Sequence, residues 1–243
     1  MTYKKLLPPH PQPQRNPSFA NIEDIIWNQE KHDIDPYDEI FNNRRYSREA
    51  VLYKSQYFSL EEMLLQAFEF VAPDSSNAET YSIKFATIIK DACNVFEVVC
   101  RELYSKFYSI PADRKINILN FVSLNEYLSL SQTPLVLVAA LDQFQNYPET
   151  TNPFIGIAAM SPTYSDSSKL PKWWSAYNSI KHSNSDISQA ATLANAIASL
   201  AGLFTLLNRT YGFGLVYGWA GLPNTAHSFL PNARSSLLFS PAP

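Results

Sequence analysis

The chain has 243 residues, 46% hydrophobic and 14% aromatic, which is enough to bury one core without disulfides or metals and excludes collagen-like, disulfide-framework and fully disordered classes. Its 22 acidic and 19 basic side chains leave a formal net charge of −3. That balance excludes a protein that coats nucleic acid through overall charge and confines any such contact to a local patch.

The first twenty residues hold prolines at 8, 9, 11, 13 and 17, with Lys4, Lys5 and Arg15 and no acid. Proline fixes φ and removes a backbone donor, so an extended arm is expected over 1–20, suited to lying on the surface or to docking on a partner protein's groove or a phosphate backbone. The opening Met1-Thr2-Tyr3-Lys4-Lys5-Leu6-Leu7-Pro8-Pro9 lacks the apolar run of a secretory signal. Residues 20–57 are charge-rich, with short helical runs at 22–29 and 48–55, and irregular structure is expected there. The run from His32 to Glu39 offers oxygen donors but lacks the glycine and spaced glutamate of a calcium loop. Arg44-Arg45-Tyr46-Ser47-Arg48, beside Glu49, reads as a solvated turn or a small nucleic-acid contact. No metal site and no cofactor are expected.

Ser59-Leu60-Glu61-Glu62 has the order of a capping box and predicts a helix over 59–71, stopping near Pro73. A second helix is predicted over 78–108 from Tyr81, Phe85, Ile88, Ala92, Val95, Val99, Leu103 and Phe107, spaced by three and four. At 1.5 Å per residue it would be about 45 Å long, a staff spanning a helical bundle. Cys93 and Cys100 sit seven apart in it, about 10 Å between Cα atoms, beyond the ~7 Å a disulfide tolerates. Two free buried thiols fit a reducing compartment, so a cytoplasmic protein is expected.

Between 111 and 171 the periodicity fades among prolines 134, 148, 153 and 162. Residues 134–138 read equally as a strand or a buried helical turn. Pro171 opens a helix expected over 171–183, and Asp186 reads as the N-cap of another over 186–208. No charge occurs from Ile187 to Asn208, a span long enough to cross a bilayer. However, Ser188, Thr192, Asn195, Ser199 and Gly202 draw a small-polar stripe opposite Leu193, Ile197, Leu200, Phe204 and Leu207, the pattern of a helix inside a bundle, and no membrane contact is expected. Alanines at 190, 191, 194, 198 and 201 permit close backbone approach within the bundle or across a two-fold axis, and a homodimer is expected. From Tyr211 onward, four of the six glycines and four prolines predict a wrapped loop or tail. The fold class is mainly all-α, a bundle of four or five main helices in one domain over 21–222 with its core in 59–108 and 171–208. An extended arm over 1–20 and an irregular tail over 223–243 flank it.

Rare chemistry gathers on the helix after Pro171. At 100° per residue, Trp174, Asn178, Lys181 and His182 share one side. His182 suits a general base or acid, Lys181 a phosphate partner, Asn178 an orienting amide and Trp174 a stacking surface. The alternative is that the tryptophans and Tyr177 pack into the bundle and that Asn178 and His182 pair with each other or with the loop after Asn184. On the second helix, Glu97 and Arg101 stand at i and i+4 inside an apolar stretch. They read either as a solvated ion pair or as a site in which Glu97 orients His182.

The string Tyr177-Asn178-x-x-Lys181-His182, followed by a long Ala- and Leu-rich helix, resembles the HEPN superfamily of bacterial α-helical domains. Catalytic members carry an arginine followed a few residues later by a histidine, often with a polar residue after the arginine. They are dimeric, metal-independent endoribonucleases of toxin–antitoxin and phage-defence systems, while many relatives lack the nuclease residues and act as binding modules. Asn178 and His182 match the asparagine and histidine, whereas Tyr177 stands where the arginine belongs. A guanidinium clamps phosphate through a permanent charge, and a phenol is neutral and offers one donor. The resemblance therefore implies a module that binds RNA or a nucleotide without efficient catalysis. Two alternatives are an active metal-independent endoribonuclease built on His182, Lys181 and Asn178, and a helical protein–protein interaction module with no ligand site.

Overall fold

A computed structural model describes residues 48–108, 117–133, 135–137, 150–157, 169–182, 187–211 and 239–241. The arm expected over 1–20, the helical run at 22–29, the acidic run at 32–39, the basic residues 44–47 and Asp186 lie outside the described residues. So do the glycine-bearing stretch 212–221 and, apart from 239–241, the tail.

In chain order the elements are α1 (Arg48–Ala67), α2 (Ile83–Tyr108), α3 (Ile118–Val122), α4 (Asn125–Leu128), β1 (Leu135–Leu137), β2 (Thr150–Thr151), α5 (Lys172–His182), α6 (Ile187–Ala190), α7 (Leu193–Tyr211) and β3 (Phe239–Pro241). The chain is a mainly α-helical bundle whose long members are α1, α2, α5 and α7. Helix α7 packs against the other three. It is buried almost all round, including Ser199 and Gly202 on the stripe, Ile197, Leu200, Phe204 and Leu207 opposite, and Ala196, Ala201 and Thr205 on the flanks between them. Absence of charge up to Asn208 is what lets both faces leave water.

Helix α1 departs from its expected start. Its buried positions Ala50, Tyr53, Tyr57, Leu60, Leu64 and Ala67 alternate spacings of three and four, so one continuous apolar face extends the helix back to Arg48. Ser59 therefore lies inside the helix, where its Oγ donates to the Ser55 carbonyl at 3.1 Å instead of capping. The short helical run expected over 48–55 and the helix expected from 59 are parts of this one helix, which replaces the irregular structure expected between them.

Helix α2 begins at Ile83 rather than 78 because residues 78–82 pair with another segment. Ser82 N donates to Ala191 O (3.1 Å), Leu193 N to Thr80 O (2.9 Å) and Ala194 N to Ala78 O (3.0 Å), with Tyr81 bridging Thr192. The same bonds interrupt the helix expected over 186–208, which is two helices, α6 and α7. Thr192 caps the second, its Oγ1 accepting from Asn195 N at 3.3 Å. Among the described residues no helix is long and apolar enough to cross a membrane.

Of the two readings of 134–138, the strand is found over Leu135–Leu137, residues 134 and 138 lying outside the described residues. β1 is the centre of a three-stranded antiparallel sheet in the order β2-β1-β3, with Leu135 opposite Thr151 and Leu137 opposite Phe239. Strand β3 falls in the tail expected to be irregular. It is held by this pairing and by the Phe239 ring, 5.8 Å from Phe204 of α7. Its Pro241 is tolerated because β3 is an edge strand.

Between α2, α5 and the turn at 153–157 the core is aromatic. Phe96 lies 5.3 Å from Trp173, 5.8 Å from Trp174 and 5.8 Å from Phe154, centroid to centroid, within the range of favourable ring pairs. Trp173 Nε1 donates to the Pro153 carbonyl at 2.9 Å. Two glycines permit close approach: a Cβ on Gly202 would meet Trp173 Cζ2 at 2.9 Å, and one on Gly156 would meet the Lys169 carbonyl oxygen at 2.3 Å.

Candidate functional site

Packing Phe96 and Val99 of α2 inward turns Asn94, Glu97 and Arg101 toward the edge of the bundle. Packing Trp173, Trp174 and Tyr177 of α5 inward brings Tyr177 and Lys181 beside them. The Tyr177 ring is buried, 5.2 Å from Trp174, and only its hydroxyl reaches the polar edge. That hydroxyl donates to Asn94 Oδ1 at 2.8 Å, with Glu97 Oε2 a second acceptor at 3.3 Å. It accepts from Lys181 Nζ at 3.3 Å. Lys181 Nζ also lies 3.8 Å from Glu97 Oε2 and 5.2 Å from the Tyr177 ring centroid. Arg101 pairs with the other Glu97 oxygen, Oε1, at 2.5 Å. The side chains of Arg101 and Lys181 are 45% and 48% exposed, and that of Glu97 is 20% exposed.

Burial pushes the Tyr177 phenol above its ordinary value of 10.0; the hydrogen bond and charge of Lys181 pull it down, and Glu97 pushes it up. Lys181 is raised by its hydrogen bond to Tyr177 first and by Glu97 after desolvation is counted against it. At neutral pH Tyr177 is therefore a neutral phenol and Lys181 an ammonium, set beside Glu97 and Arg101.

The residues singled out in the sequence fall into three places. Tyr177, Lys181, Glu97 and Arg101 meet in the cluster. Trp174 is buried among Phe96, Phe121 and Tyr177, so its faces are occupied by the core. Asn178 is half-buried, and His182 ends α5 exposed to solvent. Both Glu97 oxygens are engaged by Arg101, Tyr177 and Lys181, and no hydrogen bond or ion pair joins Glu97 to His182 among the described residues. Asn94 is the member that sequence reasoning passed over. The line Asn94, Glu97, Arg101, spaced three and four down an apolar helix, was the available signal.

Other reactive groups stand apart. Cys93 and Cys100 are free and buried, and burial, followed by Glu97, pushes both thiols well above their ordinary value. They are packing residues with little thiolate character. Among the described residues no three His, Cys, Asp or Glu side chains gather as a metal's donor set.

The two tyrosines that tie α2 to its neighbours set an alkaline limit on stability. Tyr53 of α1 donates to Glu102 of α2. Burial and then that carboxylate raise it well above 10.0, as burial raises Tyr177. In the unfolded chain both phenols ionise near 10.0, whereas the folded chain keeps their protons. The stabilisation is therefore complete below about pH 10 and is lost as pH rises above it. Urea midpoints measured upward from about pH 9 are expected to fall above that point, and to fall less steeply in a Tyr53→Phe, Tyr177→Phe double variant. Equal slopes would exclude the tyrosines as the source.

With this geometry in view, comparison of the chain with known protein families, curated proteins and solved structures finds no match.

Proposed function

We propose that the chain is a HEPN-like helical module of a bacterial or phage defence or toxin system. In this reading it works as a cytoplasmic homodimer and binds RNA or a nucleotide without efficient catalysis. The observation that carries the reading is the meeting of Arg101 and Lys181, from two helices, at one half-exposed spot beside His182 in the sequence. Among the described residues these two cations gather on the one carboxylate of Glu97, in a chain of net charge −3, and a local patch of this kind is the route to a phosphate backbone that overall composition leaves open.

The absence of efficient cleavage is argued from Tyr177. Its ring belongs to the aromatic core and its single proton goes to Asn94, so it has neither the charge nor the free donors of the arginine that catalytic HEPN members place there.

Binding of a fluorescein-labelled single-stranded RNA, followed by anisotropy at low salt, tests the reading. Wild type is expected to bind, with affinity falling as salt rises. The Arg101→Glu, Lys181→Glu double variant is expected to bind at least about tenfold more weakly with an unchanged melting temperature. Cleavage of that RNA in the presence of chelator, abolished by His182→Ala without loss of stability, would establish the active ribonuclease instead. No binding at low salt would leave the interaction module, with partner proteins docking on the arm over 1–20.

A further inference from the structure

The cluster contains its own anion. Glu97 holds Arg101 through Oε1, and through Oε2 it stands 3.3 Å from the Tyr177 hydroxyl and 3.8 Å from Lys181. These are the groups that a phosphate would use. We propose that Glu97 is a built-in competitor for the phosphate site: its carboxylate fills the place between Arg101 and Lys181 when no ligand is bound, and a ligand phosphate displaces it. The inference rests on the phosphate-binding reading given above.

Three features of the arrangement argue for exchange rather than for a fixed structural pair. First, the Lys181 contact is an ion pair at 3.8 Å, longer than a hydrogen bond, and its tighter bond among the described residues is the 3.3 Å one to the phenol. Lys181 is thus positioned by Tyr177 and only loosely held by Glu97. Secondly, the side chains of Arg101 and Lys181 are close to half exposed, and ion pairs of that exposure are weakly held, so a better anion can replace the carboxylate. A phosphate offers more acceptor oxygens than a carboxylate, and guanidinium geometry accepts either. Thirdly, the partner that would have to stay in place does so without Glu97. Tyr177 is fixed by its buried ring and by Asn94 at 2.8 Å. Swinging Glu97 outward leaves the phenol bonded and both cations in position.

The electrostatic consequence is direct. Among the described residues Glu97 is the carboxylate that Arg101 and Lys181 share. Glu97→Gln keeps the side chain's size and an acceptor oxygen while removing the opposing charge. Affinity for a phosphate backbone is expected to rise about three- to tenfold at low salt, the effect of deleting one like charge roughly 5–6 Å away in an exposed site where screening approaches that of bulk water. The salt dependence should steepen, because Lys181, whose ion pair among the described residues is with Glu97, becomes available to neutralise the RNA.

The experiment compares wild type, Glu97→Gln, Glu97→Ala and Glu62→Gln for binding of a fluorescein-labelled single-stranded RNA of about twenty nucleotides, with inorganic phosphate as competitor and melting temperature recorded for each. Glu62 is exposed on α1, so Glu62→Gln makes the same change in net charge away from the cluster. Tighter binding by Glu97→Gln, with Glu62→Gln within twofold of wild type, supports the competitor. RNA binding by Glu97→Gln alone, with wild type silent, overturns the exchange, because the ligand then fails to displace the carboxylate. Unchanged or weaker binding by a folded Glu97→Gln, while Arg101→Glu, Lys181→Glu still abolishes wild-type binding, overturns the competitor and leaves the binding site standing. If neither wild type nor Glu97→Gln binds, the competitor and the phosphate-site reading fall together. Should Glu97→Gln fold poorly, Glu97→Ala carries the comparison, and equal gains in Glu62→Gln would overturn the local explanation.

Discussion

Trp173→Ala is expected to lower the free energy of unfolding by about 3–5 kcal/mol. Trp173 is 2% exposed, and three other rings pack around it: Phe96 at 5.3 Å, Phe154 at 5.8 Å and Trp174 at 5.8 Å. Truncation removes the transfer energy of the indole and leaves a cavity that rings held by their own helices refill only in part. It also takes the donor from the Pro153 carbonyl, with Pro153 itself buried, and an orphaned buried acceptor adds to the loss. Against a total stability of about 5–15 kcal/mol for a domain, such a loss leaves a marginal protein. Urea unfolding followed by circular dichroism measures it. Trp173→Phe, which keeps one ring and loses the Nε1 bond, is expected to cost less than half as much. A loss under about 1 kcal/mol for the alanine variant would mean that the cavity collapses and that the aromatic cluster is not the keystone between α2, α5 and α7.

Gly202→Leu attacks the same contact from α7. Glycine inside a helix costs about 1 kcal/mol relative to alanine, and Gly202 is buried in the middle of α7. Its place is explained by the indole: a Cβ would stand 2.9 Å from Trp173 Cζ2. The larger leucine has to displace a ring that is itself packed on three sides, and a loss of about 2–3 kcal/mol is expected from overpacking. The decisive measurement is the cycle. In the Trp173→Ala background the leucine enters the vacated space, so its cost should shrink by at least about 1 kcal/mol or change sign. An unchanged cost would show that Gly202 is retained for some other contact. Simple alanine at 202 is a weaker probe, because its gain in helix propensity opposes the clash.

The same aromatic packing places the candidate site. Tyr177 follows Trp173 by one helical turn, and its ring continues the core while its hydroxyl ends at Asn94. A guanidinium at that position would carry its charge through the space now filled by the phenol ring beside Trp174, and desolvating that charge would be costly. Tyr177 is thus a core residue with a polar tip, its ring packed on Trp174 and its hydroxyl bonded to Asn94. Arg101 and Lys181 remain as the cations of the site.

The sequence by itself determined the elements whose signal is local. The spacing of Phe85, Ile88, Ala92, Val99 and Leu103 defined the body of α2, Pro171 and the residues after it defined α5, and the uncharged, small-residue run defined a helix that would be buried. Each follows from the 3.6-residue period and from composition, which need no knowledge of a partner. Glu97 and Arg101 were legible as a pair for the same reason, being one turn apart. Tertiary structure decided the rest. The start of α1 at Arg48 depends on an apolar face finding α2 and α7, and the break at Thr192 depends on backbone bonds to residues 78–82. Strand β1 is completed by Phe239–Pro241 from the far end of the chain. The polar cluster joins Asn94 to Tyr177 across 83 positions. No spacing rule on one helix specifies which helix it will meet or at what register. That choice is made by burial of the aromatic core, and the hydroxyl, carboxylate and two cations at its edge are brought together as a consequence of how Phe96, Trp173 and Trp174 pack.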